Sequence, residues 1–323
     1  MFFVDFSDQG ATDEPQDLHD FFLPAAAEWY ATGSYGRLNL SVTADTSRFY
    51  RMPATADSYG WQRGLTSEAH QKYIQDALQA YNQTISPVDV LYVVPTANAT
   101  AISFSPTFMD NVTTYQGTYV SRKAVTFGHD AYTAWGYKVL NHESGHTMCL
   151  PDLYPFSGGA TGLYIGGWDL MGLISGPAPD YFAWDKWLLG WLTDDEVGCV
   201  ASSGLSTHKL SPLEVPGGTK AVVIKRNSTF ALVAEVRAAL GEDVNACSTG
   251  VLLYTVSTTT ETGYGPIRVL DTSPGTGRCA GDELNDAPLS FNRTTSYTVP
   301  DWGATVSLQE KCGNGYTIEV DVP

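Results

Sequence analysis

Apolar runs and period-two alternation predict three strands in the first half of the chain. Residues 2–6 ("FFVDF") and 88–96 ("VDVLYVVPT") have the apolar character of buried strands. Residues 37–45 ("RLNLSVTAD") alternate between apolar and polar side chains, as a half-buried strand does.

Helical spacing of apolar positions predicts helices between and after these strands. The first helix covers residues 15–36 and ends near Gly33 or Gly36. The second covers residues 66–84, with Thr66 as its N-cap. Its apolar face consists of Ile74, Leu78 and Tyr81.

A third helix is predicted from about Tyr132 to Met148, with Trp135, Val139 and Leu140 on its apolar side. Strands and helices that alternate in this order indicate an α/β layer, in which helices pack on a sheet.

The last third of the chain predicts strands separated by turn signals. The predicted strands are residues 220–226, 229–237, 250–257 and 315–322. A Gly-rich loop (157–172) and a helix-like segment (179–193) precede them. We therefore expect an α/β domain in residues 1–197, followed by an all-β, sandwich-like C-terminal module in residues 198–323.

The composition is that of a globular protein. Of 323 residues, 43% are hydrophobic and 12% aromatic, which is too apolar for disorder, and no apolar run is long enough to span a membrane. The net charge of -17 disfavours nucleic acid and anionic membrane surfaces as partners. We expect a monomer.

Asparagine usage favours a secreted, extracellular protein. Six of the ten asparagines begin an Asn-x-Ser/Thr glycosylation sequence: Asn39, Asn82, Asn98, Asn111, Asn227 and Asn292. The opening residues lack the pattern of a signal peptide, so we expect any leader to lie upstream of residue 1.

The five cysteines are unevenly distributed. Four of them lie in the last 125 residues: Cys199, Cys247, Cys279 and Cys312. This clustering predicts two disulfides in the C-terminal module and leaves three connectivities open. We expect the fifth, Cys149, to be a buried free thiol with no role as a nucleophile.

Residues 141–154 ("NHESGHTMCLPDLY") contain the candidate chemistry. Residues four apart on a helix project from one face, so His142 and His146 can bind one metal ion. Glu143 lies one step round the helix, where it can reach a water on the metal and act as a general base. The alternative is two surface histidines on an amphipathic helix. The pattern predicts one catalytic zinc ion.

A catalytic zinc ion needs a third protein ligand and an open fourth position. One common solution is a glutamate about twenty residues beyond the second histidine, and this chain has none there. The other is a short turn that brings back a ligand six residues on, which is Asp152. Pro151 favours that turn, because proline ends helices. Asp169 is the rival, although a loop-ordering hydrogen-bond acceptor is its simpler interpretation.

Together with "GGWDLMG" (166–172), these residues resemble the immune inhibitor A family of secreted zinc metalloproteases, within the metzincin clan. The segments "FFVDFSD", "GSYGRLNL", "KWLLGWLT", "ALVAEVR" and "GVLLYTVS" resemble that family in the same order. The resemblance implies a metzincin-like (α+β) catalytic domain, with zinc ligands at His142, His146 and Asp152 and a general base at Glu143. It also implies a methionine on a turn beneath the metal, which Met171 matches.

One position departs from the family. Where this chain has Cys149, the family usually has a glycine, which adopts positive φ readily as the helix reverses. A cysteine with positive φ costs about 1 kcal/mol, so either the turn differs or the strain is tolerated. Glu235 and Arg237 also match a family segment, but an ion pair across strands or at a domain interface explains them equally well.

The expected function is that of a secreted zinc-dependent endopeptidase that hydrolyses peptide bonds of protein or glycoprotein substrates. The resemblance further implies an inhibitory pro-segment, removed on maturation, and admits calcium as a structural ion. Two alternatives stay open. One is a peptidase selective for glycoproteins or mucins, and the other is a catalytically silent protein that binds glycans or proteins on the protease scaffold.

Overall fold

The computed structural model describes residues 1–132, 135–275, 279 and 281–323. It is a mixed α/β protein that contains several sheets and few helices. In this part of the chain, no helix is long and apolar enough to cross a membrane.

Two compact units divide the chain. Unit 1 contains Met1–Glu28 and Asn39–Leu150, and unit 2 contains Trp29–Leu38 and Pro151–Pro323. The predicted boundary near residue 197 falls inside unit 2.

A sheet forms the centre of unit 1. Its strands are β1 (Phe2–Asp5), β2 (Asp45–Arg51), β3 (Val88–Pro95), β4 (Thr107–Phe108), β5 (Val112–Thr113) and β6 (Tyr119–Thr126). They lie in the order β2-β1-β3-β6-β4, with β5 also paired to β6. The pairs β1–β2, β1–β3 and β3–β6 are parallel, whereas β4 and β5 run antiparallel to β6. The first half of the chain thus combines helices with a mixed sheet, as predicted for an α/β layer.

The helices of the first half are α1 (Pro15–Phe22), α2 (Ala25–Gly33), α3 (Ser67–Tyr81) and α4 (Tyr137–Thr147). Short 3-10 helices occur at Asp57–Tyr59, His129–Tyr132, Asp194–Glu196, Gly241–Asp243 and Glu283–Asp286. The division between the two units passes through α2. The single helix predicted for residues 15–36 is wrong, because this segment forms two helices, α1 and α2. Leu23 is extended, because a residue before proline avoids the helical region, and α1 ends there.

The helix predicted for residues 66–84 is confirmed as α3. Thr66 caps it, since its hydroxyl oxygen accepts a hydrogen bond from the backbone N–H of Ala69 at 3.2 Å. Ile74 and Leu78 are buried in the core of unit 1, and Tyr81 packs against that core. The local spacing of apolar residues was enough to identify this element and its buried face.

The strand predicted for residues 37–45 is wrong. Residues 38–44 have no regular structure, and β2 begins only at Asp45. β2 lies at the edge of the sheet, and Tyr50 is its one fully buried residue. Pairing with β1, rather than apolar alternation, makes this segment a strand.

The predicted third helix begins later than expected. Within the described residues, α4 starts at Tyr137, after the 3-10 helix His129–Tyr132. Residues 133–134, which the prediction included, lie outside the described residues. Val139 and Leu140 are buried as predicted, but 40% of Trp135 is exposed, so its predicted place on the apolar side is wrong.

Unit 2 contains two further sheets and the short helix α5 (Ala183–Leu188). The first has the order β12-β11-β10-β9-β7 and the second β13-β14-β15-β8. The strands are β7 (Val197–Val200), β8 (Gly204–Leu210), β9 (Ala221–Lys225), β10 (Phe230–Arg237), β11 (Gly250–Ser257), β12 (Ile267–Val269), β13 (Ser296–Thr298), β14 (Thr305–Cys312) and β15 (Gly315–Val322). Apolar side chains from both sheets share one core, as in a sandwich. β9, β10, β11 and β15 match the four predicted strands to within a residue.

Of the two predicted disulfides, one is present. It joins Cys247 and Cys279, whose Cα atoms are 5.9 Å apart. The second prediction is wrong, because Cys199 and Cys312 are free and exposed. Cys199 lies on β7 and Cys312 on β14, in different sheets. Packed sheets lie about 10 Å apart, whereas a disulfide requires Cα atoms within about 7 Å of each other.

Candidate metal centre

Helix α4 brings three predicted site residues together on one turn. His142 and Glu143 are buried, with 4% and 7% of their surfaces exposed, and His146 is half-buried. One ligand atom from each of the three lies within 4.8 Å of those of the other two. The imidazole ring centroids of His142 and His146 are 4.9 Å apart. The helix therefore gathers two imidazoles and a carboxylate where one small cation can contact them.

A hydrogen bond selects the tautomer of His146. Its Nδ1 lies 2.8 Å from the carbonyl oxygen of Leu150. A carbonyl oxygen only accepts, so Nδ1 carries a proton, and in the neutral imidazole this leaves the lone pair on Nε2. Histidine ligands of metals generally donate their other ring N–H in this way. The donor chemistry of His146 thus fits a zinc ligand.

Two strands of the unit 1 sheet orient the helix and its glutamate. The Thr107 hydroxyl, on β4, lies 2.8 Å from Oε2 of Glu143 and 2.9 Å from its backbone oxygen. The Tyr92 hydroxyl, on β3, lies 2.7 Å from the Ser144 hydroxyl oxygen, and both groups are buried. Neither Thr107 nor Tyr92 was predicted from the sequence. They lie 36 and 52 residues from their partners, and no local pattern marks them.

Helix α4 ends in a Schellman turn. The N–H of Leu150 donates to the oxygen of Gly145 at 3.1 Å, and the N–H of Cys149 donates to that of His146 at 2.8 Å. Cys149 has a φ of 73°, so the expected strain is tolerated. Cys149 is free, as predicted, but it is exposed rather than buried, because the turn directs it outward. Lys123 Nζ lies 3.5 Å from its Sγ.

Replacing Cys149 with glycine is expected to stabilise the metal-free protein by about 1 kcal/mol, because glycine adopts the left-handed conformation without a Cβ clash. Chemical denaturation of parent and variant measures the difference. Cys149→Ala is the control, since it removes the thiol but keeps the backbone strain. An equal gain from alanine would contradict this explanation.

Asp152, the predicted third ligand, belongs to unit 2 and is half-buried. Its backbone N–H donates to Oγ1 of Thr262 at 2.8 Å. Its carbonyl oxygen accepts from the N–H of Gly263 at 2.9 Å. A loop more than a hundred residues away in sequence thus holds the backbone of this aspartate.

Asp169 and Met171 order the Gly-rich loop. Both are completely buried. The two carboxylate oxygens of Asp169 accept from the N–H groups of Met171 and Phe182, each at 2.7 Å. Burial, with a contribution from the Asp185 carboxyl, raises the pKa of Asp169. These contacts are those of a loop-ordering acceptor. The carbonyl oxygen of Met171 accepts from the N–H of Leu153 at 3.0 Å, which links this loop to the segment that follows Asp152.

Glu235 and Arg237 form a completely buried ion pair of 2.6 Å along one strand, β10. The expected ion pair is therefore present, although it runs along one strand rather than across two. Arg237 Nη1 also binds Asp243 Oδ2 at 2.6 Å, and its Nη2 donates to the carbonyl oxygen of Trp168 at 2.9 Å. The guanidinium ties β10 to the Gly-rich loop. Two charges inside the apolar run "ALVAEVR" were the sequence signal for this arrangement.

Further buried carboxyls surround Arg237. Burial raises the pKa of Asp185 to about 7 and that of Glu214 to about 9. Oδ2 of Asp185 and Oε2 of Glu214 have no hydrogen-bond partner among the described residues. A charge there would be costly. The proton that Glu214 holds at neutral pH, and the partial protonation of Asp185, therefore limit the negative charge that Arg237 must balance.

Comparison with protein-family models finds no match to this chain, and neither does a search of curated proteins. Membership of the immune inhibitor A family therefore stays a prediction from the residues themselves.

Proposed function

We propose that this protein is a secreted zinc-dependent endopeptidase. His142 and His146 bind the zinc ion, and Asp152, six residues beyond the second histidine, is the third ligand. The observation that carries the proposal is the group of two imidazoles and one carboxylate on a buried helical turn, with ligand atoms within 4.8 Å of one another. The tautomer of His146 supports it, because Nδ1 is engaged with the Leu150 carbonyl oxygen.

Glu143 is the proton carrier in this proposal. Zinc, when bound, lowers the pKa of a water molecule towards neutrality and polarises the peptide carbonyl. The Glu143 carboxylate takes a proton from the attacking water and passes it to the leaving amine. The hydroxyl of Thr107, 2.8 Å from Oε2, holds that carboxylate in one orientation. The amine then leaves with the proton that the water supplied.

Secretion belongs to the same proposal. The disulfide between Cys247 and Cys279 supports an oxidising compartment, and the six glycosylation sequences support a secretory route. Protein or glycoprotein chains are the proposed substrates.

The test is zinc content and casein hydrolysis, measured before and after removal of metal with 1,10-phenanthroline. We expect one zinc ion per chain, activity that is lost on chelation, and recovery when zinc is added back. His146→Ala should lose both zinc and activity. His129→Ala is the matched control, because His129 is also half-buried and its Nδ1 lies 3.1 Å from the carbonyl oxygen of Ala97.

Each other outcome has a distinct meaning. No stoichiometric zinc after reconstitution would overturn the proposal. Zinc without casein hydrolysis would favour a glycoprotein-selective peptidase if mucin-type substrates are cleaved, and a binding protein if they are not.

A further inference from the structure

The loop between β11 and β12, residues 258–266, is hydrogen-bonded to the segment 152–156. Both backbone polar groups of Asp152 are engaged, its N–H with Thr262 Oγ1 at 2.8 Å and its oxygen with the Gly263 N–H at 2.9 Å. The N–H of Phe156 donates to the carbonyl oxygen of Gly263 at 3.0 Å. Three hydrogen bonds therefore join the centre of the loop to the two ends of the segment 152–156.

Gly263 is the residue that permits this approach. Its φ is 75°, which favours glycine. A Cβ there would lie 2.2 Å from Cγ of Phe156 and 2.4 and 2.5 Å from the two Cδ atoms, so the aromatic ring faces the glycine directly. Any side chain at this position must displace the ring, which strains the hydrogen-bonded contact between the two segments.

The same segment is held from a second side. The N–H of Leu153, next to Asp152, donates to the carbonyl oxygen of Met171 at 3.0 Å. Its own N–H, its carbonyl and its neighbour are restrained, so the backbone of Asp152 is ordered by contacts on two sides. A ligand whose backbone is already ordered loses less conformational entropy when it binds a metal.

We infer that the loop 258–266 positions Asp152 for metal binding, with Gly263 as the positioning residue. The inference rests on the proposed function, in which Asp152 is a zinc ligand. According to this inference, zinc affinity depends on the loop 258–266, although the loop supplies none of the three proposed zinc ligands.

The test compares Gly263→Ala with Gly217→Ala. Gly217 also has a positive φ, of 81°, but a Cβ there would have no atom within 4 Å. Both variants introduce the same backbone strain, and only Gly263→Ala displaces a neighbour. Zinc dissociation constants are measured by competition with a chelating dye. We expect Gly263→Ala to raise the dissociation constant by about tenfold or more, as loss of an outer support of a metal ligand does, and Gly217→Ala to leave it unchanged.

Thr262 supplies a second pair of variants should Gly263→Ala fail to fold. Thr262→Val removes the acceptor for the Asp152 N–H, and Thr262→Ser keeps it. Weaker zinc binding and faster amide hydrogen exchange at Asp152 are expected for valine alone. Melting temperatures of the zinc-free proteins separate these effects from a general loss of stability.

The failures are distinguishable. If the parent binds zinc and the Gly263 and Thr262 variants bind it equally well, the positioning role is overturned and the proposed function stands. If the parent binds no zinc, the proposed function itself is overturned, and this inference with it.

Discussion

Glu143→Gln is expected to lower kcat/KM for casein by about 10²- to 10⁴-fold, the usual contribution of a general acid–base group. Glutamine has the same shape, and its amide oxygen can still accept the hydrogen bond that the Thr107 hydroxyl donates at 2.8 Å. It cannot take a proton from water. The loss should therefore lie in kcat, and zinc content should equal that of the parent.

The same variant also tests whether Glu143 is a ligand. Its carboxylate lies within the 4.8 Å group that could contact a metal, so loss of zinc from Glu143→Gln would assign it to coordination. Parent-like activity would contradict its role as general base. Thr107→Val provides a graded comparison, because it leaves the carboxylate in place and removes only the hydroxyl that orients it.

Arg237→Met is expected to destabilise the protein by about 3–5 kcal/mol, the usual cost of removing one partner of a buried ion pair. Arg237 is completely buried and lies 2.6 Å from both Glu235 and Asp243. Methionine fills much of the space but leaves these carboxylates without a counter-charge. Chemical denaturation followed by tryptophan fluorescence measures the change.

Arg226→Met is the matched control, because Arg226 is exposed and donates to the carbonyl oxygen of Asp301 at 2.9 Å. Its loss should cost less than about 1 kcal/mol. Adding Asp243→Asn to Arg237→Met should recover part of the stability. The uncharged amide removes one unbalanced carboxylate and can still accept from the N–H of Asp180. Equal losses from the two arginine variants would contradict this account of the buried charges.

Local spacing determined helix α3 and the helix that carries the candidate site. In α3, the Thr66 cap and the apolar positions Ile74 and Leu78 are separated by only a few turns, and the helix geometry follows from them. In α4, the four-residue spacing of His142 and His146 places both imidazoles on one face in any helix. Backbone hydrogen bonds within a helix span four residues, so a short sequence contains all the information they require.

The sequence by itself therefore determined the helix that carries His142, Glu143 and His146, and the main strands of the C-terminal part. It also predicted Asp152 as the third ligand from its spacing to His146. Only the tertiary structure decided which distant groups support them. Thr107 contacts Glu143, which is 36 residues away in sequence, and Thr262 contacts Asp152, which is 110 residues away. It likewise decided that Cys247 pairs with Cys279, and that the charges of Glu235 and Arg237 are buried. These contacts depend on which segments meet when the whole chain packs, and no periodicity within one segment encodes the residue that will face it.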